Sequence, residues 1–370
     1  MLFVLLGCLV YEAAAGVSYT ETELALIRSH GPWPPAFDGD ASNHFSGDTQ
    51  AIEIGENLFN DTRLSKKGVI SCATCHVPAL SFTDNKATGE GFGTVDRNTP
   101  TVLNVAFHRW FGWDGGSDSL WMQNIRPIVS VLEMDGVEAT RNVVETDPVY
   151  NAFYTGAKSR APQQATDDEL LVFVARAMAA YLETLVTAPT TFDRFRQALL
   201  DGDEMAMVAY PLSAQRGLKI FAGRGRCSIC HFGPAFSNGE FAETGIPYFT
   251  STCVDKGRFG GIEKVLASSF NLLGQFNESS DESTSHKTRF LRQRHDSFGQ
   301  FRIPGLRSVS RTAPYMHNGS LQTLEDVMEH YSHVNMDRLH TDGESILKPL
   351  NLSAQDVRDL VRFLETLAEK

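Results

Sequence analysis

Apolar residues recur at helical spacing in blocks separated by long polar stretches, and the blocks run through two rounds. T-E-T-E-L-A-L-I-R-S-H at 20–30 predicts a short helix capped by Thr20 or Thr22. G-P-W-P-P-A-F at 31–37 breaks it into an extended loop. A-I-E-I-G-E-N-L-F at 51–59 is amphipathic, with Ile52, Leu58 and Phe59 facing a core. Residues 81–100 are polar and glycine-bearing, which predicts a loop. An aromatic cluster comes next (Phe107, Trp110, Phe111, Trp113), and then a helix over Ser119–Val131 interrupted by Pro127. The clearest helix spans 167–187, with Asp167 and Asp168 at its positive end and Leu170, Val174, Met178, Tyr181 and Leu185 at core spacing. Pro189 ends it.

The second round opens after the acidic segment Asp201-Gly202-Asp203-Glu204, the best boundary between domains. S-A-Q-R-G-L-K-I-F at 213–221 repeats the theme of 51–59. Residues 233–300 read as loop-rich, with 277–288 mobile or exposed. An amphipathic helix closes the chain over Ser353–Glu369, capped by Ser353 and apolar at Val357, Leu360, Phe363 and Leu367. The pattern is mainly α, with long loops.

Directly after each amphipathic block stands a short motif that carries chemistry. C-A-T-C-H occupies Cys72–His76 and C-S-I-C-H occupies Cys227–His231. Two cysteines two residues apart, with histidine at once after the second, form the attachment signature of a c-type haem. The thiols Cys72 and Cys75, or Cys227 and Cys230, reach the two vinyl groups, and His76 or His231 then swings under the iron. A structural four-cysteine zinc site requires no such histidine. With 11 His in 370 residues, chance supplies both histidines at about 0.1%.

Net charge is −12, which argues against nucleic acid or an anionic membrane as the main partner and permits a basic protein partner. Six cysteines are too few for a disulfide framework at this length; four belong to the two motifs, leaving Cys8 and Cys253. Thioether-bound haem implies a compartment outside the bacterial cytoplasm, the periplasm. Residues 1–18 read as a signal or lipoprotein segment, and cleavage near Ala15 and lipid attachment at Cys8 both stay open. The two domains are then 19–203 and 204–370.

Several spaced motifs together resemble the bacterial dihaem cytochrome c peroxidase and MauG superfamily over roughly residues 45–370. They are the two haem motifs, R-N-T-P-T-V-L-N at 97–104, W-D-G at 113–115, Gln123, Pro127, Glu133 and R-T-A-P-Y-M-H-N-G at 311–319. S-H-G-P-W-P-P at 29–35 and H-R-W-F-G-W-D-G at 108–115 look most like the MauG-like enzymes that modify copper-binding partners. The resemblance implies two cytochrome c-like haem domains and a calcium ion between them, held by Asn98 and the carbonyls of Thr312 and Pro314.

It also implies roles. Glu133 matches the distal glutamate that moves a proton across bound peroxide. Gln123 would hydrogen-bond the peroxide, Pro127 would shape the pocket, and Trp113 would relay charge between the haems. Residues 77–97 contain no histidine to close the first haem's other face, so the first haem is expected to be open and ready without reductive activation. Composition leaves the second haem's sixth ligand open among Met316, His317, Met328, His330, Tyr331, His333 and Met336, and family spacing selects Tyr331. A tyrosine there favours storing two oxidising equivalents as two Fe(IV) centres. The surface tryptophan of MauG is matched by Gly225, which leaves Trp110, Trp121 or the haem edge as the exit. Three functions compete. The first is a peroxide-dependent oxidase acting on an aromatic residue of a partner protein, such as a secreted copper-binding protein. The second is a cytochrome c peroxidase fed by a small cytochrome. The third is a plain dihaem electron carrier.

Overall fold

The computed structural model describes residues 16–247, 254–335 and 346–369. The described residues are mainly helical, with a single two-residue antiparallel pairing, Phe241–Ala242 with Phe301–Arg302. Cys8, Cys253, Met336 and the expected leader fall outside the described residues.

Each round builds its core on one helix crossing. Thr49–Asn60, capped by Asp48, crosses Asp167–Glu183 at Gly55, where an added Cβ would lie 2.0 Å from the Ala177 carbonyl. Leu212–Ala222 crosses Ala354–Glu365 at Gly217, where a Cβ would lie 1.9 Å from the Asp359 carbonyl. Glycine at both positions lets the backbones approach closely. Around the first crossing lie Leu58, Phe59, Trp121, Ile125, Phe173 and Met178, and around the second Phe192, Leu218, Phe221, Leu360 and Phe363. Each such fully buried side chain stabilises by about 1.5–3 kcal/mol.

The two cores do not divide the chain at one point. Glu21–Ser29, held by a Thr20–Glu23 capping box, sends Ile27 into the second core. Phe192 and Phe195 of Thr191–Asp201 join it there. Leu272, with Phe270 and Phe276 alongside, packs into the first core from the other direction. The two halves are thus laced together by exchanged arms.

Several expectations need correction. Pro127 does not interrupt its helix: Leu120–Val129 runs through it, since a proline so near the end costs only the bond to the Gln123 carbonyl. The long helix stops at Glu183, where β-branched Thr184, Val186 and Thr187 come next and Thr184 Oγ1 donates to the Tyr181 carbonyl at 2.7 Å. Helices at Val137–Thr146, Pro148–Lys158 and Thr191–Asp201 escape the hydrophobic pattern, although Asp147 before Pro148 is a good start signal. Arg258–Ala267 is a helix inside the expected loop. The polar 277–288 segment is largely exposed, as expected, but pinned at both ends: Glu278 pairs with buried Arg176 and accepts from His44, while Thr288 Oγ1 donates to Asp118 at 2.7 Å. Opposite charge and hydrogen bonds order it where hydrophobicity could not.

Candidate functional site

Both C-x-x-C-H stretches fold as single turns that present the two thiols and the imidazole together. Cys72, Cys75, Cys227 and Cys230 are all free thiols. Burial pushes the Cys72 and Cys227 thiols up to about 12. His76 Nδ1 is 3.2 Å from the Phe82 carbonyl, and His231 Nδ1 is 2.9 Å from the Phe236 carbonyl. Burial lowers both imidazole pKa values, so the rings are neutral. A neutral imidazole with Nδ1 bound to a carbonyl leaves Nε2 as the donor for a metal. The donor set and its second shell fit a covalently held haem at each motif.

The two phenylalanines share a feature that the sequence reading missed. Both adopt a left-handed backbone, Phe82 at φ 58° and Phe236 at φ 55°, which bulky residues rarely do. The conformation accompanies a carbonyl turned to the histidine. A separate register relates later parts of the two rounds: Pro100–Val105 and Pro304–Val309 lie 204 positions apart, and Asn104 and Ser308 both begin short turns at positive φ. The same offset relates Leu120–Val129 to the Leu324–Ser332 helix, Trp113 to His317 and Pro127 to Tyr331.

A cavity of about 700 Å³ opens at the second motif. Cys227, His231, Met328 and Tyr331 line it, and its size suits a large prosthetic group. Burial, then the nearby Cys227 and Cys230 thiols, drives the Tyr331 hydroxyl pKa upward. Met316 and His317 also line the cavity. His330 is engaged elsewhere, 2.9 Å from the Thr244 carbonyl, and His333 faces solvent beside Glu329 at 3.1 Å.

At the first motif, burial is the main cause that raises the Cys72 and Cys75 pKa values, and the Glu133 charge adds a smaller part to both. Its backbone is fixed by the 89–95 loop: Phe92 N–H donates to the Glu133 carbonyl at 3.2 Å and Gly93 N–H to Leu132 at 2.8 Å. Gly91 is required there, since a Cβ would meet Glu133 Cα at 2.5 Å. Gln123 Oε1 accepts from Arg126 at 3.3 Å. Pro127 sits one helical turn beyond it.

Trp113 lines the wall of the cavity at the second motif, and its indole N–H donates to the Asn98 carbonyl at 2.8 Å. The next residue, Asp114, is fully buried and meets Arg97 at 2.9 Å, Lys264 at 2.8 Å and Arg126 at 3.7 Å. Burial alone would raise its pKa, but the three cations hold it well below the usual carboxylate range. This network clamps Trp113 between the two halves. Asn98 N–H donates to the His317 carbonyl at 2.8 Å, and its Nδ2 donates to Lys86 at 2.9 Å, leaving Oδ1 available to a cation. Asn98, Thr312 and Pro314, more than two hundred positions apart in the chain, line one cavity, and side-chain amide and backbone carbonyl oxygens are of the type that suits calcium.

The S-H-G-P-W-P-P stretch lies against the second motif. His30 is fully buried, stacks on Phe236 with centroids 4.2 Å apart, and places Nδ1 3.0 Å from the Gly233 carbonyl. Arg307 lies over Trp33 at 3.9 Å and binds Asp193 at 2.8 Å. Burial depresses the His30 pKa to about 4. The unfolded chain therefore binds an extra proton between pH 4 and its ordinary value, and stability falls as pH drops through that window. The His30 share amounts to about 3 kcal/mol at full protonation. His30→Phe, which keeps the stack, should remove that share. Denaturant titrations of both proteins at pH 7 and pH 4.5 check it: equal acid sensitivity in the two would show that His30 carries none.

Neither alternative exit tryptophan reaches the surface. Trp110 is 3% exposed with Arg258 4.1 Å above its ring, and Trp121 is fully buried with Arg176 at 5.0 Å. At Gly225 a side chain would strike the Ile220 carbonyl at 2.6 Å.

Residues 49–201 match the family described as di-haem cytochrome c peroxidase. The chain is 32% identical to "Methylamine utilization protein MauG" of Methylorubrum extorquens over 96% of its own length and 88% of that protein. It is also 32% identical to "Cytochrome-c peroxidase IdrP2" of Denitromonas iodatirespirans, over 87% of this chain and 83% of the other. Among solved structures, a MauG-like protein associated with microbial copper homeostasis superposes with a TM-score of 0.66 at 22% identity, covering 92% of this chain and 96% of that one.

Proposed function

The chain belongs to the di-haem cytochrome c peroxidase family and is a peroxide-dependent oxidoreductase; on that footing we propose that it oxidises an aromatic residue of a partner protein. The observation that carries the reading is the inequality of the two sites: Tyr331 lines one cavity where the matching position of the other site is Pro127. Two covalently attached haems would supply peroxide activation at the first motif and storage of oxidising equivalents at both.

Cys72, Cys75 and His76 hold the first group, and Cys227, Cys230 and His231 the second. Pro127 has no donor atom to offer, which keeps the distal face of the first site open to peroxide. Glu133 would take the proton from the near peroxide oxygen and hand it to the far one. Gln123, steadied by Arg126, orients the peroxide or its water. Tyr331 would offer its phenol oxygen to the group held at the second site; burial favours the neutral phenol, so its oxygen would carry charge only against a cation. Trp113 passes charge between the sites, fixed by Asn98 and the Asp114 cluster. Calcium at Asn98, Thr312 and Pro314 would stiffen this seam. The partner belongs to the class of secreted copper-binding proteins, and the enzyme works in the periplasm.

Stoichiometric peroxide added to the resting diferric protein, with Mössbauer and near-infrared spectroscopy as the readout, tests the reading. Two oxidising equivalents shared between the sites should persist, and Tyr331→Met should shorten their lifetime at least tenfold. Survival of the full lifetime in that variant would remove Tyr331 from the ligand role. The second reading, a peroxidase fed by a small cytochrome, is favoured by the equal identity to IdrP2. It predicts either a quickly decaying radical in the resting protein or reaction only after one-electron reduction.

A further inference from the structure

A second cavity, of about 660 Å³, lies between the 109–110 turn, Phe241 and the 258–297 region. In a chain of net charge −12 its walls are basic: Arg109, Arg258, His286, Lys287, Arg292 and Arg294 stand against one acid, Glu240. Glu240 is already paired with Arg109 at 2.7 Å, and Arg294 with Asp296 at 2.8 Å. Of the arginines and the lysine, that leaves three which, among the described residues, have carbonyl partners and no carboxylate in contact. Arg258 donates to Gly115 at 2.8 Å, Lys287 to Arg109 at 2.7 Å and Arg292 to Leu291 at 2.8 Å.

The deepest of these is 5% exposed. The Arg258 guanidinium is held between Trp110 at 4.1 Å and Phe241 at 4.0 Å, with Lys287 Nζ 5.4 Å from the same indole. Burial lowers the Lys287 pKa to about 8 and that of Arg258 to about 10; Asp118 and Asp114 act on them only from a distance, so both stay charged near neutral pH with no carboxylate in direct contact. Buried charge in that condition favours any anion that can reach it. Arg109 and Arg292 extend the charge outward to the exposed rim, where Phe290 adds an apolar surface that is 67% exposed. Charge spread from floor to rim suits several carboxylates along a peptide better than one small anion. Phe241, Arg294 and Gln300 also line the cavity of the second motif, so an occupant of the cleft lies one aromatic ring from that site.

We infer that this cleft receives an acidic segment of the partner protein and thereby seats the partner beside the second haem site. The inference rests on the partner-oxidation reading and adds to it the chemistry of recognition. Opposite charge also raises the rate of encounter, and that gain fades with salt.

The test uses the full-length holoprotein and a fluorescently labelled hexaglutamate peptide, with anisotropy as the readout at low ionic strength. Binding should appear, weaken at least tenfold in Arg292→Glu and in Lys287→Gln, and fall as salt is added. Arg292 lies at the exposed rim, so the first variant keeps its fold even if the second does not. No binding to the unmodified protein, or binding unchanged in Arg292→Glu, overturns the inference. So does complete displacement by inorganic phosphate equimolar with the peptide, which would make the cleft a small-anion site. Peroxide-generated spectra of the same samples separate the two ideas. Spectra with persistent oxidising equivalents but no peptide binding sink the cleft alone, whereas peptide binding without those spectra sinks the partner-oxidation reading.

Discussion

Glu133→Gln slows the reaction of peroxide with the resting holoprotein by about a hundred- to ten-thousandfold, the span typical of a lost general acid–base. The substitution keeps shape and volume and deletes only the ability to carry a proton. The placement of Glu133 explains why so much depends on it. Phe92 N–H and Gly93 N–H pin the backbone of Glu133 and Leu132, and the Glu133 charge adds to burial in raising the pKa of both thiols of the first motif. Stopped-flow absorbance at the Soret band measures the rate, and unchanged pyridine haemochrome absorbance shows that both attachments survive. A rate within threefold of the parent would mean that another group, or water, shuttles the proton.

Gly217→Val costs about 3 kcal/mol or more, the upper end for a residue forced into a packed crossing. Its Cβ would stand 1.9 Å from the Asp359 carbonyl oxygen, 2.5 Å from the carbonyl carbon and 2.9 Å from Phe363 Cβ. Two of those three atoms are backbone, so relief requires the Leu212–Ala222 and Ala354–Glu365 helices to part, against the packing of Phe221, Phe363 and Leu364. Gly156→Ala is the internal comparison. It lies in the Pro148–Lys158 helix with nothing within 4 Å of the added atom, and it should stabilise by up to about 1 kcal/mol. Guanidinium titrations read both. Equal midpoints for Gly217→Val and the parent would show that the crossing tolerates separation.

Much of this was legible in the residues. Helices with a cap and a clean apolar stripe, such as Thr49–Asn60 and Ala354–Glu365, were found with bounds close to those observed, because capping and periodicity are properties of neighbouring residues. Helices whose burial is divided among several neighbours were missed: Val137–Thr146 buries Thr140, Val143 and Val144, too few to mark a stripe. The 277–288 segment looked unattached because its anchor is the ion pair of Glu278 with Arg176, which lies 102 positions away and leaves no local pattern.

The chemistry of attachment is a local matter, readable from the residues alone. Two thiols and an imidazole must succeed one another on a single turn to grip one porphyrin edge, and that requirement is written in five consecutive letters, twice. The 204-residue register that sets Pro127 opposite Tyr331 is likewise present in the chain. The surroundings of those turns come from the folded molecule. Folding draws the N-terminal arm onto the second motif, stacks His30 on Phe236, and gathers Asp114 with three cations from distant segments. It also assembles a basic cleft from Arg109, Arg258, Lys287 and Arg292 in an acidic chain. The reason is range: covalent spacing acts along the backbone, whereas burial and Coulomb interactions depend on distances through space that no run of neighbouring residues encodes.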